Sequence, residues 1–203
     1  MTSKVEICNL ALIEARYDET IESLDENSVA AERCKRLYDT CRKEVLSNYP
    51  WTFAVKFEEL ARIGEDVEGH KFAYSYPKDC LRVLNMFSSA DDYRNKNFRT
   101  TLPNNNRVAM FGEQKAVLVD SETPFAEYIY NEELEDNFSA LFTRLLYLEI
   151  ALRLAKLAGQ SADDVKLIAA QIQEADAKAR VQSVGEDDNH LNVEDNYYID
   201  VRG

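Results

Sequence analysis

An amphipathic helix pattern that ends at a proline and at the only tryptophan of the chain constrains the fold most. Between residues 28 and 48, apolar residues recur at steps of three and four, and charged residues fill the opposite face. Pro50 cannot continue a helix, and it pushes Tyr49 toward an extended conformation. Trp51 and Phe53 follow where the pattern becomes strand-like. Because large aromatic side chains at such a boundary usually fill the space between two layers, we predict that Trp51 and Phe53 form the core of a domain junction.

Three further segments have the periodicity of helices. Ser3 and Glu6 have the spacing of a capping box, which predicts that a helix begins there. The segment from about residue 138 to residue 158 is apolar almost all round, which indicates burial from more than one side. It could lie at the centre of a bundle or between a bundle face and a neighbouring subunit, and we favour the second. Ser161 is placed to cap a last helix.

The hydrophobic period changes to two between residues 52 and 130, where short apolar runs alternate with turn-like segments. The predicted fold class is therefore α+β: an antiparallel helical bundle of about four helices, with a mainly antiparallel β domain inserted between the second and third helices. The predicted domains are a discontinuous helical bundle of residues 1–50 and 131–184, an inserted β domain of residues 51–130, and an extended C-terminal arm of residues 185–203.

The formal net charge of −13 limits the possible partners. It argues against tight binding to duplex DNA, which needs clustered Lys and Arg to displace counterions. An acidic wall would still suit a conduit through which DNA slides, although plain solubility explains the charge equally well. The most apolar segment carries several charged residues, so we expect no membrane span.

No enzymatic or metal-binding signature is present in the sequence. The chain lacks the phosphate-binding, nucleophile-elbow, zinc-protease and dinucleotide motifs. With 4 cysteines, no C-x-x-C spacing and only His70 and His190 as histidines, no zinc site can be assembled. We predict no catalytic residue, no cofactor and no metal. Because Asp and Glu abound, a glycosidase-like pair of carboxylates stays open as an alternative.

The C-terminal segment combines acidic residues with aromatic ones. A stretch this polar does not fold alone, yet it ends in residues of the types enriched at interface hot spots. The predicted partner-contact residues are Tyr197, Tyr198, Ile199 and Arg202. The alternative is that the arm packs on its own domain.

The order and spacing of several motifs resemble the head-to-tail adaptor proteins of short-tailed bacteriophages, also called tail tubular protein A or gatekeeper proteins. The N-terminal residues that carry the resemblance are Cys8–Leu12, Ile21–Leu24, Ser28, Ala31, Cys34, Tyr38 and Pro50–Ala54. Two later segments, Tyr74–Leu84 and Leu141–Ala155, are similar to the same family. The resemblance spans roughly residues 5–180, and no single motif in it is diagnostic.

The resemblance implies a structural virion protein that is not an enzyme. Copies of the chain, twelve by this resemblance, would form a ring under the portal protein, extend the DNA channel and join the portal to the tail nozzle or tube. Packaged double-stranded DNA would pass through without specific binding. The protein would be assembled in the host cytoplasm and reside at the head-tail joint. One branch similar to this family is credited with cell-wall cleavage, so a peptidoglycan-degrading tail component is the alternative, and a monomeric regulator or enzyme is a second competitor.

Overall fold

The computed structural model describes residues 3–91 and 107–195, with side chains described up to Ala179 and for Val181. Within these residues, two helices precede the β region and two follow it. They are α1 (Lys4–Glu14), α2 (Val29–Asn48), α3 (Ala140–Ala158) and α4 (Ala162–Asp195). Short 3₁₀ helices lie at Thr52–Ala54 and Glu135–Asn137.

Serine side chains cap the N-termini of α1, α2 and α4. The Oγ atoms of Ser3, Ser28 and Ser161 accept hydrogen bonds from the backbone N–H three residues on, at 3.2, 3.1 and 3.2 Å. Each bond satisfies a donor that has no partner inside its helix, which confirms the predicted starts of α1, α2 and α4. Gly159 ends α3 in the left-handed region with φ 70°, where a residue without Cβ is favoured.

The chain divides into two compact units, one of residues 1–53 and 133–203 and the other of residues 54–132. In the first unit, α3 is the central element and packs against α1, α2 and α4, whereas α1 and α2 contact each other little. Most apolar side chains around α3, including Phe142, Leu146 and Leu154, are therefore buried within the chain, whereas Leu157 near its end is 57% exposed. A neighbouring subunit is thus not needed to cover most of this helix.

The second unit contains seven described strands, which are β1 (Val55–Glu59), β2 (Arg62–Val67), β3 (His70–Ser75), β4 (Cys80–Phe87), β5 (Arg107–Phe111), β6 (Gln114–Val119) and β7 (Phe125–Tyr130). They form a three-stranded sheet in the order β1-β7-β4 and a four-stranded sheet in the order β2-β3-β6-β5, with antiparallel pairing throughout. Tyr74 and Val117 of the larger sheet share one core with Met86 and Tyr128 of the smaller.

The predicted fold class is wrong. The described helices lie at the two ends of the chain and do not pack as an up-and-down bundle that carries an insert between the second and third helices. The strands make two antiparallel sheets, and α4 continues to Asp195 where an extended arm was predicted to begin at residue 185. Hydrophobic periodicity reports which face of a helix is buried but not which helix covers it, and that choice decides the architecture.

The β2–β3 hairpin was not predicted. Strand β2, with sequence Arg-Ile-Gly-Glu-Asp-Val, has no clean alternation of apolar and polar residues, and its register shifts between Arg62 and Gly64. The connecting turn places Glu68 and Gly69 at φ 48° and 86°, which is typical of a two-residue hairpin loop. Pairing with β3 therefore determines this strand more than its own pattern does.

Candidate functional site

Trp51 and Phe53 lie in an aromatic cluster of the first unit (residues 1–53 and 133–203), which we call the helical unit; the second (residues 54–132) is the β unit. The Trp51 ring meets the rings of Phe142 and Tyr49 edge to face, with centroids 5.2 and 5.5 Å apart. Phe53 contacts Phe142 at 5.2 Å and Phe138 at 5.9 Å. Edge-to-face pairs at these distances are favourable beyond the area they bury. Trp51, only 6% exposed, is thus a core residue of this unit.

Trp51 also terminates α2. Its Nε1 donates a buried hydrogen bond of 3.0 Å to the carbonyl oxygen of Val45. The last four carbonyls of a helix have no partner within it, and Val45 is the first of those four in α2. The indole therefore gives one of these terminal carbonyls a buried donor.

A pocket of about 370 Å³ opens beside this tryptophan, between α2, α3 and α4. Its lining combines two aromatic rings, two amides, two carboxylates and three aliphatic side chains. They are Tyr49 and Trp51, Asn48 and Gln173, Glu149 and Asp176, and Val45, Leu145 and Ile172. Apolar walls with a few convergent polar groups are typical of ligand sites, and the volume falls within the range of roughly 300–1,000 Å³ found for them.

Glu149 is the polar residue of this pocket with the most unusual environment. Burial raises the pKa of its carboxyl above the usual value; Arg153 opposes the shift and Glu44 reinforces it. Arg153 itself donates to the Glu44 carboxylate and, over 2.7 Å, to Cys41 Sγ. Burial raises the pKa of Cys41 to about 11 even though Arg153 lies against it. At neutral pH this cysteine is therefore a thiol, not a nucleophilic thiolate.

A second polar cluster lies in the β unit around Tyr128. Its hydroxyl contacts the carboxylates of Glu58 at 2.7 Å and Asp79 at 3.1 Å. Lys56 pairs with Asp79 at 2.6 Å and lies over the ring of Tyr130. Burial opposes ionisation of Asp79, but the bond and charge of Lys56 hold its pKa below the usual range. With a well-ionised carboxylate and a tyrosine whose pKa is raised by burial, the cluster suits a structural network better than acid-base chemistry.

The four predicted partner-contact residues, Tyr197, Tyr198, Ile199 and Arg202, lie outside the described residues. The pocket residues Glu149 and Asp176 were not predicted as a site. A signal existed for Glu149, because it lies with Arg153 and Lys156 on one charged strip of an otherwise apolar helix. Nothing in the sequence indicates that Asp176 of another helix lines the same pocket.

Within residues 3–91 and 107–195, no three His, Cys, Asp or Glu side chains come together as metal ligands. None of the helices in that part of the chain is both long and apolar enough to cross a membrane.

Comparison of the chain with protein-family models finds no match, and no curated protein matches it.

Proposed function

We propose that the protein is a structural component of a bacteriophage virion, a head-to-tail adaptor that forms a ring, of twelve copies by the resemblance, under the portal. The ring extends the DNA channel, joins the portal to the tail nozzle or tube and helps to retain packaged DNA. The observation that carries this proposal is the ordered set of motifs between residues 5 and 180 that resembles the adaptor family.

The positions of these motif residues support a shared fold. Asn9 and Ile21 belong to the resemblance, and the Asn9 side chain both donates to the Ile21 carbonyl and accepts from its N–H, each at 2.9 Å. Cys8, Cys34 and Tyr38 are almost completely buried. Side chains that pack together in a core can be replaced by few others. The resemblance to the adaptor family at these buried positions therefore concerns the fold of the helical unit.

Exposed apolar residues at one end of the helical unit supply a surface for ring formation. Arg16, just after α1, forms an ion pair of 2.9 Å with Asp164 in the first turn of α4, and Gln160 between α3 and α4 donates to the Ala15 carbonyl at 3.3 Å. Ile13 lies three residues before Arg16, Leu157 three residues before Gln160, and Leu167 three residues after Asp164; these side chains are 60%, 57% and 55% exposed. We call these three residues the apolar patch, and we assign it to contact with a neighbouring copy. Burial of such side chains on assembly is favourable by roughly 25 cal/mol per Å².

The acidic charge fits passage of DNA through the ring. A net charge of −13 per copy, repeated around a ring, gives a lumen that repels phosphates, so DNA slides without being held. The charge also opposes self-association in isolation. We therefore expect a monomer or weak oligomer alone and a closed ring on the portal.

Native mass spectrometry and negative-stain electron microscopy with the cognate portal ring test this proposal. Wild-type protein is expected to add as a complete ring, whereas Leu157→Glu in the apolar patch blocks ring completion. Val108→Glu is the matched control, because Val108 is an exposed apolar residue (48%) of the β unit. A persistent complex with one adaptor per portal ring, or the absence of any complex, would contradict the proposal.

The alternative, a glycosidase-like peptidoglycan hydrolase, is favoured by one observation. Glu149 has a raised pKa in a pocket with aromatic walls, as a general acid of such an enzyme needs. Its test is a zymogram: a hydrolase clears peptidoglycan, and Glu149→Gln abolishes the clearing while the fold is kept. Absence of clearing by the wild type rejects this alternative.

A further inference from the structure

We propose that the four-stranded sheet is a clasp: its two edge strands, β2 and β5, meet along a seam that opens and closes while the rest of the β unit stays folded. Side chains hold this seam, because in the described part of the chain no ladder of backbone hydrogen bonds joins β2 to β5. The inference rests on the geometry of the sheet and does not depend on the adaptor proposal.

Two side-chain contacts cross the seam. The ring of Phe111 on β5 lies so close to Gly64 on β2 that a Cβ atom there would come within 2.7 Å of the ring. Four residues away along each strand, in opposite directions, Arg107 of β5 forms an ion pair of 3.1 Å with Glu68 in the turn that follows β2. Equal steps in opposite directions are the register of an antiparallel pair. The two edges are therefore aligned as neighbouring strands of a closed sheet would be.

The four-stranded sheet buries side chains on both of its faces. Four consecutive residues of β6, Ala116–Val119, are all buried. Successive side chains of a strand point to opposite faces, and only Val117 and Val119 belong to the core shared with the smaller sheet. Ala116 and Leu118 therefore form part of a second apolar face, which is separate from that core.

Phe111 lies on this second face of the sheet. It is directly opposite Gln114 of β6, two residues before Ala116, and Ala109 is directly opposite Ala116. Because directly opposite residues share a face, the ring reaches Gly64 across a surface of small side chains. Opening the seam would withdraw the ring and expose this second face, whereas the core shared with the smaller sheet would stay intact.

The seam is the weakest connection between strands of this sheet. A backbone ladder joins β2 to β3, β3 to β6 and β6 to β5, whereas the seam has one ring contact and one ion pair. The side chains of that pair are 63% exposed for Arg107 and 53% for Glu68, so the pair contributes little and is screened by salt. Local opening occurs where few buried contacts hold a segment. We therefore expect β2 and β5 to separate from each other well before the β unit unfolds.

Hydrogen exchange of the full-length protein, followed by mass spectrometry, tests the clasp. Phe111→Ala is expected to accelerate exchange of the β2 peptide by about two- to tenfold, because the ring contact between the edges is lost. Since β5 pairs only with β6 among the described strands, an effect on β2 reports the seam. Met110→Ala is the matched control: it shortens the adjacent side chain of the same strand, which is 61% exposed, and should leave β2 unchanged.

Glu68→Gln tests the seam from its other side. It is expected to accelerate exchange of the β5 peptide by about twofold, because the ion pair with Arg107 is lost. Glu65→Gln is its control, since it removes the same charge from β2, but the ion pair of Glu65 with Arg62 stays within that strand. Salt at about 1 M, where the Debye length is about 3 Å, should act on the wild type as Glu68→Gln does and should add nothing in that variant.

The proposal is overturned if Phe111→Ala changes exchange of β2 no more than Met110→Ala does, because the two edges would then be independent. It is equally overturned if β1 and β7 accelerate by the same factor as β2, because the opening would then be unfolding of the whole β unit. If Phe111→Ala fails to fold, the salt series on the wild type decides. Exchange of β2 and β5 that is the same at low and high salt would contradict a seam held by Glu68 and Arg107.

Discussion

The ring of Phe111 on β5 lies against Gly64 on β2, although β2 and β5 are the two opposite edges of the four-stranded sheet. A Cβ atom at residue 64 would come within 2.7 Å of Cζ of that ring and within 3.3 Å of both Cε atoms. The sheet must therefore curl until its edges approach each other. The absence of a side chain at Gly64, next to the register shift of β2, makes this approach possible.

Gly64→Ala is expected to lower the free energy of unfolding by about 1–3 kcal/mol, as overpacking does in well-filled cores. The added methyl group meets the end of the Phe111 ring, so the ring or β2 has to move. Urea denaturation measures the loss, and the background Phe111→Leu serves as the control because it removes the clashing atoms. Equal losses in the two backgrounds would show that Phe111 is not the obstacle.

Trp51→Ala is expected to lower the free energy of unfolding by about 3–5 kcal/mol, because it leaves a cavity beside Phe142 and frees the Val45 carbonyl. Trp51→Phe keeps most of the aromatic packing and loses only the hydrogen bond, so its cost should be nearer 1 kcal/mol. Thermal and urea unfolding of both variants give the comparison. If Trp51→Ala left stability untouched while abolishing an activity, the assignment of Trp51 to the core would be wrong.

Glu149 should make stability fall as the pH rises. Its pKa in the folded protein is raised above the value in the unfolded chain, so between these two values the folded state binds more protons. Its favourable contribution is complete below the unfolded pKa, near 4.5, and is lost as the pH passes the folded pKa. The stability of Glu149→Gln relative to wild type should therefore increase from about pH 4 to pH 7. Urea unfolding of both proteins at several pH values checks this, and a difference that is constant or decreases contradicts it.

Removing residues 190–203 should leave the melting temperature nearly unchanged. The buried side chains described on α4 are Ile168, Ala175 and Ala179, all well before the cut. Under the adaptor proposal the same truncation blocks attachment to the portal, because Tyr197, Tyr198 and Ile199 are lost, and DNA-filled heads leak or stay tailless. Calorimetry and complementation of particle assembly measure the two effects. Infectious particles completed by the truncated protein would refute the docking role of this segment.

Local signals in the sequence predicted where the helices begin and where α3 ends. A serine before an amphipathic run fixes where α2 and α4 begin, and Gly159 fixes where α3 ends, because these residues satisfy or permit backbone groups next to them in the chain. The alternation of short apolar runs and turn-like segments predicted between residues 52 and 130 agrees with strands β5 and β6 on either side of Gly112, because such runs and turns are local features. Strands β2 and β3 were missed because their pairing supplies what their own pattern lacks.

The candidate site could be predicted only in part. The sequence singles out Trp51 as a core aromatic and shows Glu149 as a charge in an apolar helix. It does not show that these two residues face one pocket, or that Asp176 closes it from α4. Such a site depends on which helices become neighbours, and residues far apart in the chain carry no common signal in one sequence.

The sequence by itself determined where the helices begin, the change from helical to strand period and the acidic charge, because each follows from the side chains of adjacent residues. Tertiary structure alone decided that α3 is the central helix, that the strands divide into two sheets, and that Phe111 reaches across a curled sheet to Gly64. The physical reason is that apolar burial is non-directional: a pattern states that a face must be covered, and only the packing of the whole chain selects what covers it.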